Sequence, residues 1–393
     1  MSIKAKAINR RIRMGMVGGG PGAFIGEVHR MAARLDNQIE LVCGAFSSDP
    51  TKSMQMGEDL FLDPKRVYED FEQMMAKEAA LGDDERMDFV AIVTPNHMHF
   101  PPAVAALKAG FHVMSDKPAT LNLIEAQQLR DMVQETGLLY GLTHTYLGYP
   151  MIKQARAMVA DGMLGNIRKI LVEYPQGWLS KFEEGLGNNK QAEWRTDPAR
   201  SGLSGAMGDI GTHAHNMVEY ISGDEMTHVC ADLNIYVKGR KLDDDGSVLF
   251  RMRSGASGTL TASQICAGEE NALTIKIYGE NGGLEWEQME PFKLLYKPID
   301  GAMQTYTAGV DKSNLFAEAS SACRVPAGHP EGYLEAFANL YTGFAEAIRA
   351  LDGEYRGHGL IGIDEGVRGL AFVEAVVKNS HSTDKWTKIE GCR

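Results

Sequence analysis

The chain has 393 residues, of which 44% are hydrophobic and 23% charged, and a formal net charge of −12. That length and balance suit two globular domains with cores of their own and are unlike those of disordered or fibrous chains. The acidic balance argues against a nucleic acid or an anionic membrane as partner, because gripping phosphates takes a contiguous basic surface.

The one basic run, Lys4, Lys6, Arg10, Arg11 and Arg13, is followed by neither an apolar core nor a small-residue cleavage site and reads as a solvated tail. Cys43, Cys230, Cys266, Cys323 and Cys392 are scattered without a CxxC pair. This argues against a disulfide framework or a structural zinc and fits a reducing cytoplasm. No stretch approaches the ~20 apolar residues of a membrane span.

A short first strand over residues 12–17 runs directly into Gly18-Gly19-Gly20-Pro21-Gly22-Ala23-Phe24-Ile25-Gly26 and then a helical pattern over 27–35. Strand, glycine loop and helix in that order form the setting of a dinucleotide-binding loop. The glycines let the backbone approach a pyrophosphate, and the first helical amides supply donors and partial positive charge. Two spacings fit, Gly18-x-Gly20-x-x-Ala23 and Gly20-x-Gly22-x-x-x-Gly26. A second strand over 39–46 ends in Ser47-Ser48-Asp49. An acid there accepts from a ribose 2′-hydroxyl, whereas the serines with Lys52 tolerate a 2′-phosphate, so NAD and NADP both stay open; the same residues also suit a cap for a helix at Pro50.

A short strand at 67–68, a helix over 70–80 and an acidic turn lead to an apolar strand over 89–93, which ends at Thr94-Pro95-Asn96-His97-Met98-His99. His97 and His99 have no acid or cysteine nearby to complete a ligand set, so no metal site is expected. A helix after Pro101-Pro102 then leads to Phe111-His112-Val113-Met114-Ser115-Asp116-Lys117-Pro118, an apolar strand that stops at an acid, a lysine and a proline. Ligands of open α/β sheets bind outside the carboxyl ends of the strands, where this pattern puts Lys117. A helix over 122–136 and a strand over 138–142 complete six strands alternating with helices, the pattern of a doubly wound parallel sheet.

Beyond residue 165 the pattern changes to longer alternating segments at 168–177, 226–237, 246–252, 257–265, 271–278 and 283–287. Turn signals such as Asp244-Asp245-Gly246 between them indicate an antiparallel meander in a second, α+β domain. Such a sheet, covered by helices on one face, leaves the other for a second copy, so a homo-oligomer, dimer or tetramer, is expected through it. On a helix turning about 100° per residue, Asp209, His213, Asn216 and Tyr220 fall within an arc of about 60°, beside an apolar stripe of Ile210, Ala214, Met217 and Ile221. An Asp–His pair four apart can orient the imidazole and raise its proton affinity, as a general base requires. Trp178 and Trp194 suit stacking on a sugar ring or closure of a domain boundary. After Gly328-His329-Pro330-Glu331-Gly332, a helix carries Tyr333, Phe337, Leu340, Tyr341 and Phe344 at the spacing of a core face, while His329 suits a hydroxyl contact or a helix cap.

Lys117 and the Asp209–His213 helix occur together with Thr94-Pro95-Asn96-x-x-His99, Asp116-Lys117-Pro118, Trp194-Arg195 and Gly205-x-x-x-Asp209-x-Gly211-x-His213. In this combination the chain resembles the Gfo/Idh/MocA oxidoreductases over nearly its whole length. The resemblance implies an N-terminal NAD(P)-binding Rossmann domain over 1–145. It also implies a substrate-binding and oligomerisation α+β domain over 146–393, with a large, mostly antiparallel open sheet. It further implies a dehydrogenase moving hydride from a secondary hydroxyl of a sugar, an anhydrosugar or glycoside, or a cyclic polyol to NAD or NADP, with Lys117, Asp209 and His213 catalytic. Cofactor contacts are then expected from Gly18, Gly20, Gly22, Ala23, Phe24, Ile25, Ser47, Ser48, Thr94, Pro95, Asn96, His99, Asp116, Lys117, Trp194 and Arg195. Substrate contacts are expected from Lys117, Tyr146, Tyr149, Trp178, Asp209, His213 and His329.

Two departures mark this chain. Asp116 stands where the family usually has glutamate, and Thr143-His144-Thr145-Tyr146-Leu147-Gly148-Tyr149-Pro150 stands where many members carry an arginine-bearing segment. The runs at 194–200 and 328–333 look most like levoglucosan and glycoside 3-dehydrogenases. Two other classes share the fold: glycoside hydrolases that use bound NAD for transient oxidation, and non-catalytic dinucleotide-binding regulators.

Overall fold

The computed structural model describes residues 8–187, 189–350 and 360–391; Lys4, Lys6 and Cys392 lie outside the described residues. The chain divides into two compact units, Met1–Thr143 with Phe337–Gly366, and His144–Ala336 with Val367–Arg393.

The first unit runs β1 (Ile12–Gly18), α1 (Phe24–Leu35), β2 (Ile39–Ala45), α2 (Pro50–Asp59), α3 (Phe71–Ala79), β3 (Phe89–Val93), α4 (Phe100–Lys108), β4 (His112–Ser115), α5 (Leu123–Thr136) and β5 (Tyr140–Leu142). Its strands lie in the order β2-β1-β3-β4-β5, every neighbouring pair parallel. Such strands are buried on both faces and so read as unbroken apolar runs; all five residues of β3 are buried. The order reverses between β1 and β3, and the crevice outside the carboxyl ends at such a reversal is where open α/β sheets bind ligands. The loops after β1, β3 and β4 all leave from that edge.

The parallel sheet expected from the sequence is borne out with five strands, not six. Val67 makes only a single parallel bridge to Gly44, because Pro64–Arg66 forms a short 3-10 turn immediately before it. Within the same unit Phe344 and Tyr341 pack on Phe89, with ring centroids 5.2 and 6.3 Å apart. Phe337, Tyr341 and Phe344 of that late helix are therefore core residues, as their spacing predicts, whereas Tyr333 and Leu340 are half-buried.

The second unit continues with α6 (Pro150–Ala160), β6 (Ile167–Pro175), α7 (Lys190–Arg195), α8 (Pro198–Ser201), α9 (Thr212–Ser222), β7 (Met226–Asn234), β8 (Asp245–Met252), β9 (Ser257–Ser263), β10 (Thr274–Gly279), β11 (Gly282–Glu287), β12 (Lys293–Pro298), β13 (Gln304–Thr307), α10 (Ala317–Ser320), α11 (Tyr333–Arg349), α12 (Ile363–Ser380) and β14 (Thr387–Lys388). Residues from 337 of α11 and up to 366 of α12 belong to the first unit. The sheet has nine strands in the order β13-β12-β11-β10-β6-β9-β8-β7-β14. Every neighbouring pair is antiparallel except β6 with β9. Alternation is clean: Val248, Phe250 and Met252 point to the buried face of β8, Ser247, Leu249 and Arg251 outward. Among the described residues, no helix is long and apolar enough to cross a membrane.

Candidate active site

Each unit carries one cluster of the predicted functional residues. In the first, β1 delivers the glycine loop, in which Gly18, Gly19 and Gly22 have φ of 87°, 73° and 77°, a left-handed region that favours glycine. A Cβ on Gly26 would lie 2.4 Å from the Gly19 Cα and one on Gly20 would lie 2.7 Å from the Phe46 oxygen, whereas one on Gly22 would project into open space. Arg30 donates to the Gly19 oxygen at 2.9 Å and pins the loop from beneath. Ala23 stands at the cap of α1 without a side-chain hydrogen bond, and Phe24, the first helical residue, is exposed with Ile25 half-buried behind it. Close backbone packing below, open space above and uncapped helical amides are what a dinucleotide pyrophosphate requires, so these residues fit that cofactor.

After β2, Ser47 Oγ accepts from the Asp49 amide at 3.1 Å, Ser48 is exposed, and Asp49 caps α2 by accepting from the Thr51 amide at 3.0 Å. Asp49 also lies 3.7 Å from Lys52 Nζ. The loop after β3 closes on itself through Thr94 Oγ1, which donates to the Met98 oxygen at 2.8 Å; Pro95 precedes its short 3-10 turn and Asn96 is buried within it. His99 is 1% exposed, with its ring nitrogens 2.6 Å from the Pro118 oxygen and 2.8 Å from the Thr94 oxygen. It braces the ends of β3 and β4 against each other.

At the end of β4, Asp116 Oδ1 accepts from the Lys117 amide at 2.9 Å and from Thr143 Oγ1 at 2.8 Å. Burial opposes the charge of Asp116, but His29, Lys117 and His99 outweigh it and hold the carboxyl well below the usual range. Asp116 therefore stays ionised while its hydrogen bonds fix the turn that carries Lys117.

In the second unit, Asp209 and His213 stand on a helix that is not α-helical throughout. Met207–Gly211 forms a π-helical turn, and α9 begins at Thr212. This corrects the uniform helical wheel of the sequence reading. Asp243, in the turn before β8, anchors the entry to this turn: its carboxylate accepts from Ser204 Oγ at 2.7 Å, the Gly205 amide at 2.8 Å and the Met207 amide at 2.9 Å. Gly205 permits the close approach of the Asp243 backbone, since a Cβ there would lie 2.2 Å from the Asp243 carbonyl oxygen. Turns of this kind are frequent at functional sites.

Asp209 pairs with Arg195 Nε at 3.3 Å and accepts from Gln264 Nε2 at 2.9 Å. The Arg195 guanidinium lies 4.2 Å from the Trp194 ring and 6.0 Å from that of Trp178, bringing four predicted residues together. His213 stands edge-on to Tyr146, with ring centroids 4.8 Å apart, and its Nδ1 is 3.4 Å from His144 Nδ1. Around it runs a partly buried network in which Tyr146 bonds the Tyr174 hydroxyl, Tyr174 donates to Asn271 Oδ1 at 2.6 Å and Gln176 donates to the same oxygen at 2.6 Å. Burial pushes both phenols up, and the Asp209 charge adds to this. They hold their protons through the neutral range. Tyr149 lies beneath, 2% exposed, between Tyr146 and Trp286. His329 is exposed and turned onto its own loop, with Nδ1 3.1 Å from the Pro326 oxygen. The sequence reading passed over His144, Tyr174, Asn271 and Gln264; only His144 carried a signal, as part of the segment that departs from the family.

Residues 12–144 match the family described as "Oxidoreductase family, NAD-binding Rossmann fold", and residues 152–285 match the "GFO/IDH/MocA C-terminal domain". An oxidoreductase of Bacillus subtilis (strain 168), YfiI, whose function is uncharacterized, is 32% identical over 392 residues, 98% of each chain. The chain belongs to the Gfo/Idh/MocA oxidoreductase family. Its first unit carries that family's NAD-binding Rossmann fold.

An inositol dehydrogenase homolog from Azotobacter vinelandii, solved with NAD+, is 35% identical with a TM-score of 0.91, covering 99% of this chain and 100% of that one. The same homolog has been solved with NADH and myo-inositol, at 34% identity and a TM-score of 0.89 over 98% of this chain and 99% of that one. Levoglucosan dehydrogenase of Pseudarthrobacter phenanthrenivorans (strain DSM 18606 / JCM 16027 / LMG 23796 / Sphe3) is 26% identical over 300 residues, 70% of this chain and 73% of that one.

Proposed function

We propose that this oxidoreductase oxidises a ring secondary hydroxyl of an uncharged cyclic polyol, sugar or anhydrosugar, with NAD as the acceptor. The observation that carries the proposal is the setting of His213: an imidazole beside a second imidazole, ringed by neutral phenols and amides, with the guanidinium of Arg195 matched by Asp209. Neutral donors and acceptors of this kind suit hydroxyl groups, whereas a phosphate calls for unmatched positive charge. Cyclic polyols come first, because a relative matching nearly the whole chain was crystallised with myo-inositol.

When bound, the nicotinamide supplies the hydride acceptor. His213 takes the hydroxyl proton, Asp209 and its partners hold the helix that presents the imidazole, and the Lys117 ammonium stabilises the developing alkoxide charge. Tyr146 and Tyr174 stay protonated and orient the ring hydroxyls. We further propose that two or four copies assemble through the outward face of the nine-stranded sheet.

The test is absorbance at the reduced-nicotinamide band with NAD or NADP across inositols, anhydrosugars, pyranosides and aldoses. Growth of the band with an uncharged ring polyol and NAD is expected. Turnover of sugar phosphates alone, or a silent panel with nucleotide demonstrably bound, would overturn the proposal.

A further inference from the structure

One buried imidazole has no part in these roles. His29, on α1, has no solvent exposure, and its ring stands edge-on to Phe337 with centroids 4.6 Å apart. Its Nδ1 lies 2.6 Å from the Tyr341 hydroxyl. Its Nε2 has no hydrogen-bond partner, and lies 3.9 Å from Asp116 Oδ1. Burial and the Asp116 charge push the Tyr341 phenol well up, so it keeps its proton and donates to Nδ1. The imidazole proton is then on Nε2, aimed at the carboxylate. Buried polar groups are ordinarily satisfied, and an unsatisfied N–H facing a carboxylate, just beyond bonding distance, calls for an explanation.

Four other groups act on that carboxylate or on the imidazole behind it. Lys117 and Thr143 donate to Oδ1, His99 adds its field from the turn after β3, and Tyr341 stands behind His29. None of these four stands on α1; His29 reaches Asp116 from that helix, which also begins at the glycine loop.

We propose that His29 is a positioning residue, whose Nε2–H backs the Asp116 carboxylate and so fixes the turn from which Lys117 acts. It rests on the role proposed above for Lys117. The coupling replaces a direct hydrogen bond by an electrostatic one, matched to the short reach of an aspartate at this position.

The test compares His29→Phe, His29→Gln and Tyr341→Phe with the unaltered protein in two measurements. The first is the carboxyl titration of Asp116 in ligand-free protein, read by carbon NMR and assigned by its loss in Asp116→Asn. The second is kcat and NAD affinity against pH. In His29→Phe the Asp116 titration is expected to move up by at least about one pH unit. Turnover (kcat) should fall ~10-fold, with NAD affinity within about twofold. His29→Gln, which keeps an N–H, should recover most of both, and Tyr341→Phe should shift the titration the same way by less.

An unmoved titration in His29→Gln and Tyr341→Phe together with an unmoved one in His29→Phe would overturn the proposal. So would a loss of kcat in His29→Gln equal to that in His29→Phe, which marks a packing role. Should His29→Phe fail to fold, the other two variants decide alone. A shifted titration with no turnover on any substrate would count against the function proposed for Lys117, not against the coupling.

Discussion

Removal of the Asp243 carboxylate tests whether the π-helical turn sets the acid–base geometry of the second unit. In Asp243→Ala the amides of Gly205 and Met207 lose their acceptor, as does Ser204 Oγ, which itself accepts from the Gly208 amide at 3.0 Å. A buried donor left unsatisfied costs ~1–3 kcal/mol, so two backbone donors put ~2–6 kcal/mol on the present turn, less what entering water returns. Without these bonds the segment Ser204–Met207, which leads into the π-helical turn, loses its anchor. Asp209 would then swing away from Arg195 and Gln264, which now hold it at 3.3 and 2.9 Å. Misplacement by about an ångström costs ~100-fold in turnover, and that is the fall expected in kcat. In Asp243→Asn only the Met207 amide loses its acceptor, so the loss should be smaller, ~10-fold. Steady-state kinetics gives kcat, and NAD fluorescence titration reports on the first unit, where no change is expected. Wild-type kcat in Asp243→Ala, or a fall matched by an equal loss of NAD affinity, would refute the reasoning.

Three further expectations follow from the same geometry. Lys117→Ala should lower turnover by ~100-fold or more while NAD binding survives, the scale of losing a preorganised charge-stabilising donor; near-normal turnover in that variant removes the lysine from the chemistry. Gly26→Ala should weaken NAD binding more than Gly22→Ala: the first puts a Cβ 2.4 Å from the Gly19 Cα, while the second meets open space and only backbone strain of ~1–2 kcal/mol, and calorimetric titration ranks the two. Because burial holds the Tyr146 phenol above its ordinary range, Tyr146→Phe should keep the alkaline side of the kcat/KM profile in place while raising KM; a displaced alkaline limb would assign proton transfer to the phenol instead.

What the sequence made legible was local, and what it hid was held by partners far along the chain. The glycine loop, the buried strand β3 and the Asp116-Lys117 stop were readable because each rests on neighbours within a few residues. The Asp49 cap on α2, the sequence's other reading for that acid, belongs to the same kind. The π-helical turn was not readable: Asp209-x-Gly211-x-His213 looks α-helical, and the residue that anchors its entry, Asp243, is 36 positions beyond Met207. The Tyr174–Asn271 bond spans 97 positions, and the parallel pairing of β6 with β9 interrupts what the turn signals present as a meander. The same distinction applies to the aromatics of α11. Their spacing announces a core face, yet nothing in it tells that Phe344 would pack on Phe89, in the unit built by the first third of the chain.

The chemistry divides along that line. Cofactor binding in this family depends on backbone shape, which glycines write into the local sequence. The proposed proton transfer depends on how a few polar side chains are oriented, and here their surroundings are a carboxylate cap, an amide–phenol network and a guanidinium beside two indoles. A change of substrate within such a fold therefore requires no change in the glycine loop or in Asp116-Lys117-Pro118. It needs only new partners for His213, and the segment from Thr143 to Pro150, where this chain departs from the arginine-bearing pattern, supplies two of them in His144 and Tyr146.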